Sequence, residues 1–159
     1  MIHRTPEIEE FWGRYRRAAK LDHDHYTVVQ MGDSPGMANE LVDLMLAGPK
    51  RATASLAREY GDEEPLPKVG DHVVVVDAKE IPRCIWQTTE VTVKPLIEVD
   101  DAFAWDEGEG FRTRAYWLEA HRSFFAKEAA REGFEMHDGI ETVFERFTLV
   151  WPPGAADPV

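Results

Sequence analysis

Gly48-Pro49-Lys50-Arg51-Ala52-Thr53-Ala54-Ser55-Leu56 is the stretch at which the chain changes its period. Upstream, Ser34-Pro35 reads as a helix start, and Met37, Leu41, Leu44 and Met45 continue one apolar face to Gly48, a left-handed stop. Pro49 cannot extend the helix. From Arg51 to Leu56 small apolar and polar residues alternate, which predicts a strand. Working outward, His72 to Asp77 with the run Val73–Val76, Arg83 to Lys94, and Val143 to Trp151 predict three more strands. Gly61 to Pro65 is a polar loop and Ala78 to Pro82 a hairpin turn. Thr5-Pro6, followed by Ile8, Phe11, Trp12 and Tyr15, predicts an amphipathic helix over 6–20, and Thr113 to about Arg131 a further one closed by Gly133. The acidic, glycine-broken stretch Asp100–Gly110 has room for a short helix around 101–104. Helices that interrupt strands without a βαβ rhythm predict an α+β fold with a small, mostly antiparallel, barrel-like sheet and flanking helices. The expected organisation is one domain over 1–151, with the helix at 6–20 packed on it, and a flexible tail at 152–159.

The 159 residues carry 18 Lys and Arg against 30 Asp and Glu, a net charge of −12. A polyanionic duplex is held by neutralising its phosphates, so this balance disfavours duplex DNA. Cys84 is the single cysteine, which excludes an internal disulfide and a cysteine-based zinc site and suits a reducing compartment. It lies in Cys84-Ile85-Trp86, where a buried, inert thiol is expected. Met1 to Glu7 lacks the apolar core of a signal peptide, and no stretch approaches the ~18 apolar residues of a membrane span. The expectation is a cytoplasmic protein that does not engage a membrane.

Gly48-Pro49-Lys50 lacks the spacing of a phosphate-binding loop, and neither a His-Glu-x-x-His pair nor a Cys-x-x-Cys occurs. His23 and His25, flanked by Asp22 and Asp24, are too few for a metal and read as a solvated loop. No metal and no cofactor is expected. Lys50 and Thr53 remain as candidates: they reach one ligand if Lys50 lies in the turn, because in a regular strand positions 50 and 53 point to opposite faces. Otherwise they are a surface lysine and a strand threonine. The second candidate is Trp105-Asp106-Glu107-Gly108-Glu109-Gly110, whose glycines let a carboxylate pass close to a ligand; alone it reads as a solvated loop. Lysine, hydroxyl and carboxylate together make a nucleophile, a proton acceptor and a shuttling acid.

Gly48-Pro49-Lys50-Arg51-Ala52-Thr53, Pro67-Lys68-Val69-Gly70-Asp71, Phe103-Ala104 with Glu107-Gly108-Glu109-Gly110, Trp117 with His121, and Glu145-Arg146-Phe147 occur in an order and at gaps that resemble the ASCH domain family. The resemblance runs from about Met31 to Val150 and is most similar to a longer, acidic bacterial subgroup with the Glu-Gly-Glu-Gly loop. It implies a PUA-like β-barrel and a role in RNA or modified-nucleoside chemistry. Some members are amidohydrolases that remove the acetyl group of N4-acetylcytidine with Thr, Lys and Glu; others are ribonucleases. Carried over, Lys50 and Thr53 match the catalytic Lys and Thr, and Glu109, with Glu107 as the alternative, the Glu. Those members tend to have Arg two residues after the Thr, where Ser55 stands here; Arg51 is the substitute.

The expected chemistry is metal-independent amide hydrolysis of a modified nucleoside. Thr53 attacks, Lys50 accepts its proton if its pKa falls towards ~7–8 from about 10.4, and Glu109 positions the lysine or shuttles the proton. Arg51, Ser55, Trp105, Arg112, Trp117 and His121 are the candidate substrate-binding residues, with Trp105 and Trp117 either stacking on a base or belonging to the core. If Lys50 stays charged it suits a phosphorane instead, which is the single-strand ribonuclease or RNA-binding alternative, served by Lys50, Arg51, Arg112 and Arg114. A non-catalytic sensor of a nucleotide-like ligand is the third reading. The expected partners are a nucleoside or short single-stranded RNA.

Overall fold

The computed structural model describes residues 2–158. Among the described residues four α-helices, α1 (Pro6–Ala19), α2 (Pro35–Ala47), α3 (Asp101–Glu107) and α4 (Arg114–Glu132), accompany five strands, β1 (Thr27–Gln30), β2 (Ala52–Leu56), β3 (His72–Val76), β4 (Pro82–Pro95) and β5 (Glu141–Trp151). The strands hydrogen-bond in the order β1-β3-β4-β5-β2, with β1 parallel to β3 and the pairs β3–β4 and β2–β5 antiparallel. The chain condenses into two compact units, 1–48 with 68–89 and 147–159, and 49–67 with 90–146. Among the described residues no helix is long and apolar enough to cross a membrane.

In the first unit, β3 is buried at every position because its two faces meet two different clusters. Val74 and Val76 face Ile8, Trp12 and Tyr15 of α1, together with Tyr26 and Ile85. Val73 and Val75 pack with Leu41, Val42 and Met45 of α2, and with Cys84, Trp86, Phe147 and Leu149. Cys84 is therefore the buried thiol its apolar neighbours predict. Both helices start as their sequences dictate: the Thr5 hydroxyl accepts the Ile8 amide at 3.2 Å and the Ser34 hydroxyl the Met37 amide at 3.2 Å. Gly48, at φ 104°, ends α2.

Two features of this unit depart from the expectations. β1 follows directly on the His23–His25 loop and runs beside β3 from Thr27↔Val73 to Gln30↔Val76. Four residues without clear alternation carried no strand signal; the parallel partner supplies the order that the local sequence lacks. Residues 152–158, of frayed composition, are tied back. Asp157 accepts from the Leu149 amide and the Thr148 hydroxyl, both at 2.9 Å, and donates its own amide to the Leu149 carbonyl at 2.9 Å. Val159, the last position of the expected tail, lies outside the described residues.

In the second unit, β2 lies antiparallel to β5 from Ala52↔Arg146 to Leu56↔Thr142. Ala52 and Leu56 of β2 and Phe144 of β5 share a core with Leu96, Val99, Phe103, Ala104, Trp117, Leu118 and Phe125. The small side chain of Ala52 leaves room for α3, whose Phe103 meets Phe144 edge-on at 5.0 Å. The short helix expected at 101–104 extends to Glu107, capped by the Asp100 carboxylate on the Phe103 amide at 2.8 Å.

Candidate functional site

The turn after α2 delivers Lys50 into the second unit, where its side chain is 1% exposed. A buried ammonium needs acceptors for three N–H bonds. Nζ finds Glu107 Oε1 at 2.6 Å, Glu109 Oε2 at 2.7 Å and the Ala52 carbonyl at 2.8 Å. The two glutamates reach it because α3 ends at Glu107 and the chain reverses on Gly108, at φ 69°. A Cβ on Gly108 would lie 2.9 Å from the Lys50 amide nitrogen and from the Pro49 carbonyl carbon, so only glycine permits this approach. The turn is pinned again by the Arg51 amide on the Asp106 carbonyl at 2.7 Å, and by Arg146 Nε on the Asp106 carboxylate at 3.0 Å.

The two carboxylates differ. Glu107 is 1% exposed, and its second oxygen accepts from the Trp117 indole at 2.7 Å and lies 3.2 Å from His121 Nε2. Burial pushes its pKa up, but the charge of Lys50 and the hydrogen bond with His121 outweigh burial and hold it well below the usual carboxylate range. Glu109 keeps 31% of its side chain exposed. Burial raises its pKa, Lys50 opposes that rise, and the fixed charge of Glu107 adds to it, so the net shift is upward. The two carboxylates are thus shifted in opposite directions, Glu107 downward and Glu109 upward.

Lys50 moves in the opposite direction from the one a general base requires. Burial pulls its pKa down, yet Glu107 and Glu109 together push it above its ordinary value. A neutral Lys50 is therefore replaced by an ammonium ion.

Thr53 and Ser55 alternate with Ala52 and Ala54 along β2 and lie across from Glu145 and Val143 of β5. The Thr53 hydroxyl makes no hydrogen bond among the described residues, to Lys50 or to either glutamate. Ser55 Oγ meets Tyr60 Oη at 2.7 Å, and burial pushes that phenol up to about 12 despite the Ser55 bond. Arg51 Nη1 donates to the Lys50 carbonyl at 2.7 Å, which braces the turn. Trp105 is 57% exposed, and one face of its ring is covered by the Arg112 guanidinium, 3.6 Å from the ring centroid. Arg112 Nε also donates to the Trp105 carbonyl at 2.9 Å. Arg114 donates to the carbonyls of Val99 and Ile97. Trp117, by contrast, is buried, and its ring stacks on His121 at 3.7 Å rather than standing open to a base.

Lys50, Glu107, Glu109, Trp117 and His121 thus form one hydrogen-bonded cluster, while Thr53, Ser55, Trp105 and Arg112 stand outside its bonds. Sequence reasoning did not name Tyr60, beside Ser55, and it quoted Glu145, opposite Thr53, only within Glu145-Arg146-Phe147 and without a role in the site. The β2–β5 register brings Glu145 opposite Thr53, a pairing that the local sequence does not encode. Among the described residues no group of three or more His, Cys, Asp or Glu side chains is arranged to hold a metal ion. His23 and His25 stack on each other at 5.6 Å.

An α+β domain with a mixed five-stranded sheet and a buried Lys–Glu–Glu cluster on a glycine-bounded turn is the class that this geometry defines. The ASCH domain family model matches residues 27–151, and the chain belongs to that family. Its structure is similar to the ASCH domain from Lactobacillus crispatus JV V101, with a TM-score of 0.81 and 32% identity over 90% of this chain and 93% of that one. It is equally similar to a protein from Enterococcus faecalis V583, with a TM-score of 0.81 and 32% identity over 91% and 92% of the two chains. These structures share the α+β, PUA-like fold expected from the sequence; in this chain the β1–β3 pair is parallel and the β3–β4 and β2–β5 pairs are antiparallel. A comparison with curated proteins found no match.

Proposed function

We propose that the protein is a metal-independent hydrolase that cleaves the acyl amide of a modified nucleoside such as N4-acetylcytidine. The observation that carries this reading is the buried Lys50 ammonium held between a fixed carboxylate, Glu107, and a partly exposed one, Glu109.

All three ammonium hydrogens are committed in the resting site. Glu109 takes the proton of the Thr53 hydroxyl as Oγ1 bonds to the acyl carbon, and the carbonyl becomes an oxyanion. A protonated Glu109 binds the ammonium less strongly, which frees one Nζ–H for that oxyanion. Glu109 then returns the proton to the exocyclic nitrogen as the C–N bond breaks, and Lys50 recovers its third acceptor. Water gives a proton to the same carboxylate as it attacks the acetyl-Thr53 carbonyl, and Glu109 returns that proton to Thr53 Oγ1 as the ester bond breaks and acetate leaves. Lys50 thus acts by charge and Glu109 as acid and base, while Glu107 keeps the lysine in place.

A neutral nucleoside suits a protein of net charge −12, which would repel a long polyanion. The charged Lys50 favours one second reading, stabilisation of a phosphorane during cleavage of short single-stranded RNA. Acetate release from N4-acetylcytidine is to be compared with RNA cleavage, for the wild type, Lys50→Ala and Thr53→Ala. The hydrolase reading predicts acetate release that both substitutions reduce by at least about 100-fold, in the range of one lost transition-state interaction. RNA cleavage that needs Lys50 but survives Thr53→Ala would replace it with the second reading. Ligand binding without turnover of either substrate would leave a sensor.

A further inference from the structure

We propose that His121 is a positioning residue held as an imidazolium, a second buried cation that fixes Glu107 and so leaves Lys50 to respond to Glu109. The inference about its charge rests on geometry alone; its catalytic consequence rests on the hydrolase reading.

His121 lies four residues beyond Trp117 on α4, one turn along the same face. Both of its ring nitrogens face acceptors. Nδ1 is 2.8 Å from the Trp117 carbonyl oxygen, and Nε2 is 3.2 Å from Glu107 Oε2. A neutral imidazole has one N–H and one lone pair. The Nδ1–H tautomer would aim the Nε2 lone pair at a carboxylate, and the Nε2–H tautomer would aim the Nδ1 lone pair at a carbonyl. Only the doubly protonated ring satisfies both contacts. The ring also lies flat on the Trp117 indole, 3.7 Å between centroids and 14° between planes, a geometry that favours a cation over the aromatic face. Trp117 in turn donates its indole N–H to the same carboxylate oxygen of Glu107.

The groups facing His121 are Glu107 from α3 and Trp117 and Phe125 from its own helix, with Glu109 and Lys50 joined to it through Glu107. Two cations therefore balance two carboxylates in a buried cluster. Burial alone would discharge the ring, but the bond and charge of Glu107 outweigh it, and the Trp117 carbonyl and the Glu109 charge add to them. If His121 were neutral, Lys50 would have to compensate both glutamates, and the Glu109 proton would be held more tightly. His121 thus lowers the pH at which Glu109 becomes a base.

The test is the nitrogen-15 spectrum of the His121 imidazole in the wild-type full chain between pH 5 and 9. The expected result is two protonated ring nitrogens at neutral pH and a midpoint above the ordinary value of about 6.5. A single neutral tautomer at pH 7, or a midpoint at or below about 6.5, overturns the proposal. In His121→Gln, the carbon-13 titration of the Glu109 carboxyl should move up by half a unit or more; an unmoved titration overturns the positioning role. The acid limb of acetate release should move by the same amount, with kcat affected more than KM. A charged His121 in a wild type that releases no acetate would sustain the charge assignment and sink the hydrolase reading. The wild-type titration stands even if the variant does not fold.

Discussion

Glu107→Gln keeps the shape of the side chain and removes its charge at a position where three donors converge. Lys50 Nζ approaches one carboxylate oxygen at 2.6 Å, and Trp117 Nε1 and His121 Nε2 approach the other at 2.7 and 3.2 Å. An amide has a single acceptor oxygen, so in either orientation its NH2 faces a donor. The substitution also leaves two buried cations with Glu109 as their remaining carboxylate. Breaking a buried ion pair from one side costs about 3–5 kcal/mol, which in a chain of this size lowers Tm by roughly 10 °C. The cost should depend on pH. The depressed carboxyl of Glu107 contributes stability above the ordinary carboxylate range, near 4.5, and that contribution is lost as pH falls through its folded value. The raised pKa of His121 contributes stability that is complete below its ordinary value of 6.5 and is lost as pH rises through its folded value. The difference between wild type and variant should therefore be largest around pH 5–6.5 and narrow on both sides. Urea unfolding at pH 4, 6 and 9, followed by tryptophan fluorescence, measures it. A loss under about 1 kcal/mol at pH 6, or a gap independent of pH, would refute the account of a charged, fully bonded Glu107.

Gly108→Ala should cost about 1–3 kcal/mol, because the new methyl group meets the Lys50 and Pro49 backbone at a positive φ; thermal unfolding reads it, and a neutral effect would mean that the turn has room to spare. Glu128 on α4 is 8% exposed with an Oε2 atom that lacks a hydrogen-bond partner, and burial, aided by Glu59 and Glu132, pushes its carboxyl up to about 7. A raised carboxyl favours the folded state at low pH and loses that contribution as pH rises through about 7. Glu128→Gln should accordingly stabilise the protein at pH 8, by about 1 kcal/mol or more, and have little effect at pH 4, below the ordinary carboxyl value of 4.5; equal effects at both pH values would count against a protonated Glu128.

The elements most legible in the sequence are those that announce themselves locally. Thr5-Pro6, Ser34-Pro35 and Gly48 carry the chemistry of helix ends, and the alternation of Val143 to Trp151 specifies a strand, which β5 extends back to Glu141. β1 is illegible because its order comes from a parallel partner 46 residues away, as in Thr27↔Val73. At the site, Lys50 and the glycine-bounded glutamates are visible as types and spacing. The choice between Glu107 and Glu109 is not, because Gly108 folds the chain so that both reach one ammonium. The charge of Lys50 is equally hidden, since it depends on the balance of burial against two carboxylates from α3 and the loop after it. Trp117 reads as either a stacking platform or a core residue, and its bond to Glu107 places it in the core.

The most direct measurement is acetate release from N4-acetylcytidine by the wild type and by Glu109→Gln, with circular dichroism to establish that both are folded. The account predicts steady release by the wild type, rising as pH increases through the Glu109 titration, and a loss of at least about 100-fold in the variant. Release that persists in Glu109→Gln, or none from folded wild type, would contradict the assignment of this cluster as a hydrolytic site.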